Sequence, residues 1–529
     1  MNTPCYDLGL DASTQSLTAL ILEAEAGRII ATESISYDEC GAAHGAQRGV
    51  LPQADPQVVH APPLLWVAAL EALFERLKAQ GFPLHQVRCI SGSGQQHGSV
   101  YLNASWPAAL RALDPGRPLA PQLGTVFSRP TAPIWMDSST TAECAEICAA
   151  LGGPAATAAA TGSTTFERFT GPQIRRFYKS DPAGYRQTAH IALVSSFHAS
   201  LLLGAVAPID HGDGAGMNLM DIQQRQWLPA ALEATAPDLA RRLPPLVAPW
   251  TILGPISPYF VARYGFDPAT RIGVWSGDNP NSIIGLGLTE PGAMAISLGT
   301  SDTFFGLISA CRTDPRGEGH VFGAPTGDYM TLICFKNGSL ARERVRDAYG
   351  LDWNGFSAAL RATPPGNDGA LMLPYFDPEI VPRVLTAGVQ RRHLNATEAA
   401  RNCRAVVECQ QLSMRRHARW LHAAPRQIYA TGGASINPEI LRVMADVHQC
   451  PVYRFQVSNS AALGAALRAA HARRQADGAA PDWSALVAPF ATPRATDRVE
   501  PRPETAPVYA AAEQAFGAFE TEYLATLNA

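Results

Sequence analysis

Two short stretches far apart in the chain repeat one local pattern, and that repeat limits the fold more than any other feature. Near the N-terminus, Asp7-Leu8-Gly9-Leu10-Asp11-Ala12-Ser13-Thr14 runs out of a strand into a tip of small hydroxyl residues, and Ser297-Leu298-Gly299-Thr300-Ser301 does the same in the second half. Hydroxyls and small residues at a hairpin tip leave backbone N–H groups free to meet anionic oxygens. Each tip alone also reads as an ordinary hairpin. Two of them, one per half, predict two related domains that share one phosphate between them. Just before the second tip stands Gly277-Asp278-Asn279, a carboxylate at a strand end on the first turn of a helix. There a carboxylate is held as an anion and accepts a proton poorly unless it is partly desolvated.

A chain of 529 residues is too long for one hydrophobic core, which again asks for two large domains. Apolar residues at 47% and charged residues at 17% are globular values. The net charge of −4 gives no reason to expect nucleic acid or an acidic membrane as partner. The most apolar long run, 191–206, is interrupted by Ser195, Ser196, His198 and Ser200 and is too short to span a bilayer. No basic-then-apolar leader precedes Cys5-Tyr6, so a soluble, cytoplasmic protein is expected. The ten cysteines lack C-x-x-C spacing and are expected to be core thiols.

Residues 5–36 read as a strand meander with 11–15 as its polar turn. Asp11 at an anion-binding tip makes sense once a divalent cation is added, because carboxylates hold Mg²⁺ while substrate phosphates complete its shell. A helix over 64–80 and a strand over 87–90 give the alternation of an α/β fold. That strand leads into a loop, 91–99, placing Gln96 and His97 between glycines at a strand end, where ligands sit in α/β folds. Residues 104–133 read as a surface insertion, and Trp135 beside Asp137 as either packing or a sugar-facing pair. Glu167 and Arg168 lie on a polar loop. The acidic glycine-rich loop 210–218 lacks EF-hand spacing and reads as a structural turn or a pocket rim. The domain boundary falls near residue 265.

In the second half Trp353 reads as a core residue or as a base-stacking one, and 397–423 as a long helix capped by Thr397. A strand over 427–430 feeds Gly432-Gly433-Ala434, where paired glycines let a flat ligand approach the backbone. Asn437-Pro438 then opens a helix. Neither a G-x-G-x-x-G fingerprint nor a phosphate loop with its lysine is present. Beyond 475 the chain turns Ala/Pro-rich and ends in a surface helix over 508–527.

Taken in order, these motifs resemble the FGGY family of carbohydrate kinases across residues 5–475. The resemblance rests on Asp11-Ala12-Ser13-Thr14-Gln15, Gln95-Gln96-His97-Gly98-Ser99, Trp135-Met136-Asp137-Ser138 and Glu167-Arg168-Phe169-Thr170-Gly171. The second half adds Gly277-Asp278-Asn279-Pro280, Ser297-Leu298-Gly299-Thr300-Ser301, Lys336-Asn337-Gly338-Ser339 and Thr431-Gly432-Gly433-Ala434-Ser435. It implies an α/β fold of two related domains with the actin/hexokinase/Hsp70-like (ribonuclease H-like) ATPase core and an interdomain cleft. Residues 1–265 would bind sugar, 266–475 nucleotide, and 476–529 would form an extension to which nothing is transferred. The implied reaction is transfer of phosphate from ATP, with Mg²⁺, to O5 of a ketopentose, D-xylulose, by a monomer or homodimer. Carried over by residue, His97, Arg168, Asp278 and Asn279 contact the sugar and Asp278 is the base. Trp353, Gly433, Ala434 and Asn437 line the ATP site, and Asp11 lies near the metal. Gln96-His97 stands where glycerol kinases carry an Arg-Glu pair, which disfavours glycerol. A kinase for another ketose or polyol, such as ribulose, and a non-catalytic ATP-binding sugar sensor are the alternatives.

Overall fold

The computed structural model describes residues 4–527 and divides into two compact units. The first holds the chain up to Thr289 together with Val321–Tyr329 and Val457–Thr492; the second holds Glu290–His320, Met330–Gln456 and the chain from Pro493.

In the first unit, Tyr6–Ala12 pairs antiparallel with Ser16–Glu23 on one side and parallel with Val87–Gly94 on the other. Arg28–Ser36 extends the hairpin side; Arg271–Gly273 and Ser276–Gly277 add to Val87–Gly94, and Ile252–Pro255 closes that edge. Side-chain alternation sorts the two faces of Tyr6–Ala12. Leu8, Leu10 and Ala12 enter a core with helix Pro63–Ala79, whose Leu65, Leu70, Leu73, Phe74 and Leu77 are fully buried. Gly9 faces the other way, and a Cβ there would lie 2.2 Å from the Ala462 carbonyl oxygen. Only glycine admits helix Ser460–Ala476 so close to the sheet. On the same face, buried Asp7 takes two hydrogen bonds at 2.9 Å from Arg473, which fastens the end of that helix to the strand.

In the second unit, Ala293–Leu298 pairs antiparallel with Asp302–Ile308 and parallel with Gln427–Thr431, and the latter runs parallel to Val452–Arg454. Each unit therefore sets a hairpin beside a parallel strand whose C-terminal end opens into a glycine-bearing loop. The loops are Gln95-Gln96-His97-Gly98 in one unit and Gly432-Gly433-Ala434 in the other. This common arrangement is the structural content of the two related domains read from the sequence.

Several local expectations change. The boundary placed near residue 265 falls inside the first unit, because Arg271–Gly273 and Ser276–Gly277 pair parallel with Val87–Gly94 and carry Asp278 with them. Helix Ser460–Ala476 also belongs to the first unit. The strand expected over 87–90 continues to Gly94, and Asp11 lies within Tyr6–Ala12 and not in its turn. Residues 104–133 are no surface insertion: Trp106, Leu110, Leu119, Leu123 and Val126 join the first core. Helix Ala399–His417 starts later than expected, since the Asn395 side chain accepts the Thr397 N–H at 3.0 Å and holds Thr397 in a turn. The final helix, Ala506–Leu527, is more than a surface element. It buries Tyr509, Phe516 and Phe519, and its Glu520 pairs with Arg416 at 3.0 Å and His417 at 3.1 Å. All ten cysteines are free thiols. Among the described residues no helix is long and apolar enough to cross a membrane.

Candidate active site

The acidic site of the first unit is built on one helix start. Helix Asp278–Gly285 crosses Ser460–Ala476 at backbone contact, a Cβ on Gly464 meeting the Asn281 carbonyl oxygen at 1.9 Å. Buried Arg468 ties the crossing down, donating to Asn281 Oδ1 at 3.1 Å, Asp210 Oδ2 at 3.0 Å and the Pro249 carbonyl at 2.9 Å. Asp278 is thus fixed at the end of strand Ser276–Gly277, where Asn279 N–H donates to its Oδ1 at 2.8 Å. Burial raises its pKa to about 6 although backbone N–H groups of Asn279 and Gln96 favour the anion. Desolvation outweighs the helix-start stabilisation, which is the condition a base in this position requires.

Asn279 Nδ2 donates to Gln96 Oε1 at 2.8 Å, tying the helix start to the loop after Val87–Gly94. Next along that loop, His97 has a left-handed backbone (φ 74°), and its Nδ1 bonds the Gly216 carbonyl at 2.8 Å. Its ring stacks on Phe169 at 4.3 Å. Burial, with the Arg168 charge adding to it, lowers the His97 pKa to about 3. The ring is neutral at physiological pH, and with Nδ1–H donating to a carbonyl its Nε2 is left as an acceptor for a hydroxyl. Arg168 lies 5.6 Å from the Phe169 ring and 5.1 Å from that of Phe166. His97, Arg168, Asp278 and Asn279 are therefore linked through Phe169 and Gln96. Asp11 joins them electrostatically: burial raises its pKa to about 7, and the Asp278 charge adds to the shift.

Asp137, paired with Trp135 in the sequence reading, is not available to a sugar. Its carboxylate accepts from Val59 N, Ser139 N and Oγ, and Gln173 Nε2, and despite burial these bonds and His60 hold its pKa below the usual range. Trp135 is 44% exposed and donates to Thr14 Oγ1 at 2.8 Å, at the first hairpin tip. Within the loop 210–218, read from sequence as a structural turn or a pocket rim, the structure singles out Asp213. Burial first, then the charges of Asp210 and Asp278, push its carboxyl well above the usual range. Its sequence signal was only an acid in a glycine-rich loop.

The residues fit a cation held mainly through water and phosphate. Among the described residues no group of three or more His, Cys, Asp or Glu could hold a metal ion, but Asp11 Oδ1 is buried with no hydrogen-bond partner among them. An orphaned carboxylate oxygen near a second carboxylate suits Mg²⁺, which keeps several waters and takes few protein ligands.

In the second unit a cavity of about 500 Å³ is lined by Trp353, Gly433, Ala434 and Asn437, together with Gly299 and Thr300 of the hairpin tip. Trp353 is 39% exposed, with Arg346 stacked 4.5 Å from its ring, so the core alternative does not hold. Gly432 is held at φ 85° with a virtual Cβ 2.6 Å from the Leu298 carbonyl oxygen, whereas nothing lies within 4 Å of a Cβ on Gly433. The open backbone at Gly433 is where a flat ligand can approach. Asn437 caps helix Pro438–His448, accepting Glu439 N–H at 3.0 Å and donating to Ser357 Oγ at 2.9 Å, which leaves its backbone and shape to line the cavity. The hairpin is braced from behind by buried Asp302, bound bidentately by Arg342 at 2.7 and 3.0 Å.

Residues 130–285 match the N-terminal domain of the FGGY family of carbohydrate kinases and residues 294–473 its C-terminal domain. The chain is 42% identical to mouse "Xylulose kinase", covering 98% of this chain and 94% of that protein. It is 43% identical to "Xylulose kinase 2" of Arabidopsis thaliana over 88% of this chain and 86% of that one. The crystal structure of xylulose kinase from Rhodospirillum rubrum has the same fold, with a TM-score of 0.81 at 20% identity, covering 99% of this chain and 100% of that one.

Proposed function

Because the chain belongs to the FGGY family of carbohydrate kinases, we propose that it is a xylulokinase of the eukaryotic type. It transfers the γ-phosphoryl group of MgATP to O5 of D-xylulose, giving D-xylulose 5-phosphate and ADP, and so feeds xylose catabolism and the pentose phosphate pathway. The observation that carries the chemistry is a desolvated Asp278 with a pKa of about 6 beside the neutral imidazole of His97 and the Gln96–Asn279 pair. At neutral pH Asp278 is ionised yet basic enough to take the O5 proton as the new P–O bond forms. A positioned base of this kind contributes roughly 10²–10⁴-fold.

His97, Arg168 and Asn279 hold and orient the ketose, with His97 Nε2 accepting a hydroxyl hydrogen. Trp353 and the open backbone of Gly433 and Ala434 take the adenine face, and backbone N–H groups of Gly299 and Thr300 bear on the phosphates. When bound, Mg²⁺ neutralises charge developing on the phosphates, and Asp11 would hold it. The test is ADP release measured with D-xylulose, L-xylulose, D-ribulose and glycerol. Release is expected with D-xylulose above the others; preference for D-ribulose would move the substrate within the family. No release with any of the four would favour the sensor.

A further inference from the structure

We propose that Glu343 reads the ribose of the nucleotide and makes the phosphoryl donor a ribonucleotide in preference to a deoxyribonucleotide. The inference rests on the reading of the second unit's cavity as the ATP site. Glu343 is half-buried and is the one charged side chain among the residues that line this cavity. It stands in the run Arg342-Glu343-Arg344-Val345-Arg346, where an acid ordinarily pairs with a neighbour on its own helix. Each arginine is engaged elsewhere. Arg342 holds Asp302 at 2.7 and 3.0 Å, Arg344 donates to Asp377 at 3.1 Å, and Arg346 donates to Asp347 at 2.7 Å. Among the described residues Glu343 makes no hydrogen bond or ion pair, so both of its oxygens remain free to accept from a ligand in the cavity.

Its place along helix Ser339–Ala348 decides what those oxygens meet. Ser339, Glu343 and Arg346 stand four and then three residues apart and so share one face of the helix. Ser339 marks the phosphate end, where its N–H donates to the Gly299 carbonyl of the hairpin tip at 2.8 Å. Arg346 marks the base end, stacked 4.5 Å from the Trp353 ring. At 1.5 Å per residue Glu343 lies about 6 Å along the axis from Ser339, a little past the midpoint of that face. In a nucleotide the ribose joins the phosphates to the base. With phosphates at Gly299-Thr300 and base on Trp353, the ribose passes Glu343. Other polar side chains of the wall are engaged within the protein: Ser339 Oγ accepts from Arg342 at 2.8 Å, and Asn437 Nδ2 donates to Ser357 Oγ at 2.9 Å. A carboxylate only accepts, and the vicinal 2′- and 3′-hydroxyls of ribose can both donate to it. Phosphate oxygens would be repelled there.

The experiment measures binding of ATP, 2′-deoxy-ATP and 3′-deoxy-ATP, each with Mg²⁺, by calorimetry on the full-length protein without sugar. The parent is compared with Glu343→Met, which keeps the stem and removes both acceptors, and Glu343→Gln, which keeps one acceptor and removes the charge. Expected in the parent is an ATP Kd about tenfold below that of at least one deoxynucleotide, the loss of one hydroxyl from a charged acceptor. Glu343→Met should bind all three nearly equally, and Glu343→Gln should show an intermediate preference. Both should keep the parent's KM for D-xylulose and its melting point, since no protein partner is lost. Equal binding of the three nucleotides by the parent would overturn the inference and leave the ATP reading standing. So would a parent-like preference in Glu343→Met, whether or not ATP then binds more tightly. No ATP binding by the parent would remove both. If Glu343→Met fails to fold, Glu343→Gln decides.

Discussion

Replacing Asp278 by Asn should move turnover and stability in opposite directions, because one desolvation produces both effects. The folded chain holds the Asp278 proton to about 6, against 3.8 for the free carboxyl. That difference of about two units corresponds to at most about 3 kcal/mol of penalty on the charged form. Stability from the tighter-held proton is fully present below the unfolded value and is lost as pH rises through about 6. Asparagine carries no charge, so at pH 7.5 the variant should melt a few degrees higher than the parent, and the gap should close below about pH 4. Its turnover should fall roughly 10²–10⁴-fold, about 3–5 kcal/mol of barrier, with KM for ATP nearly unchanged. The parent's rate should fall as pH drops through 6, and the residual rate of the variant should lose that limb. ADP release and a melting series across pH read all of this. Turnover within about tenfold of the parent would reject Asp278 as the base, and a lower melting point at pH 7.5 would reject the desolvation behind it.

Asp11→Asn should likewise stabilise the fold at neutral pH, since its carboxyl is raised to about 7, while raising the Mg²⁺ concentration needed for half-maximal rate about tenfold or more. An unchanged Mg²⁺ titration would free Asp11 of that role. Trp353→Ala should raise KM for ATP by about tenfold, the loss of one base-stacking contact, without moving the sugar KM. Gly433→Val places a side chain in the open cavity and should abolish nucleotide protection in a melting assay while leaving the ligand-free melting point near the parent's. Arg342→Met strips buried Asp302 of its partner and should cost about 3–5 kcal/mol, read as a large fall in the melting point of the second unit.

The parts of this chain legible from sequence were those governed by local chemistry. The helix start at Asn437-Pro438 was read where it lies, because it carries its own capping signal. The family resemblance and the fold it implied agree with the matched domains and relatives. Positions decided by distant partners were not legible. Glycines argued against continuing strand Val87–Gly94, yet Gly92 is needed because a Cβ there would lie 2.1 Å from the Trp275 ring. The Ala/Pro-rich segment 104–133 looks like a loop until Trp106 and Leu119 find a core made by other elements. Asp213 stands out only once its free oxygen is seen beside Gly277. The structure brings the four proposed sugar residues into one unit and the four proposed ATP residues around one cavity, an association no single motif carried.

Helix Ser460–Ala476 has a consequence for how this protein is made. It lies on the sheet at Gly9 and is clamped to Asp7 through Arg473, so strand Tyr6–Ala12 is held by a helix whose Arg473 is translated 466 residues after Asp7. Domains generally mature as units, N-terminal first, during synthesis. Here the N-terminal sheet keeps one face uncovered until the whole second unit up to Gln456 has been translated. The nascent chain thus carries an uncovered sheet face until that helix emerges, and its exposure to chaperones is set by chain order as much as by stability.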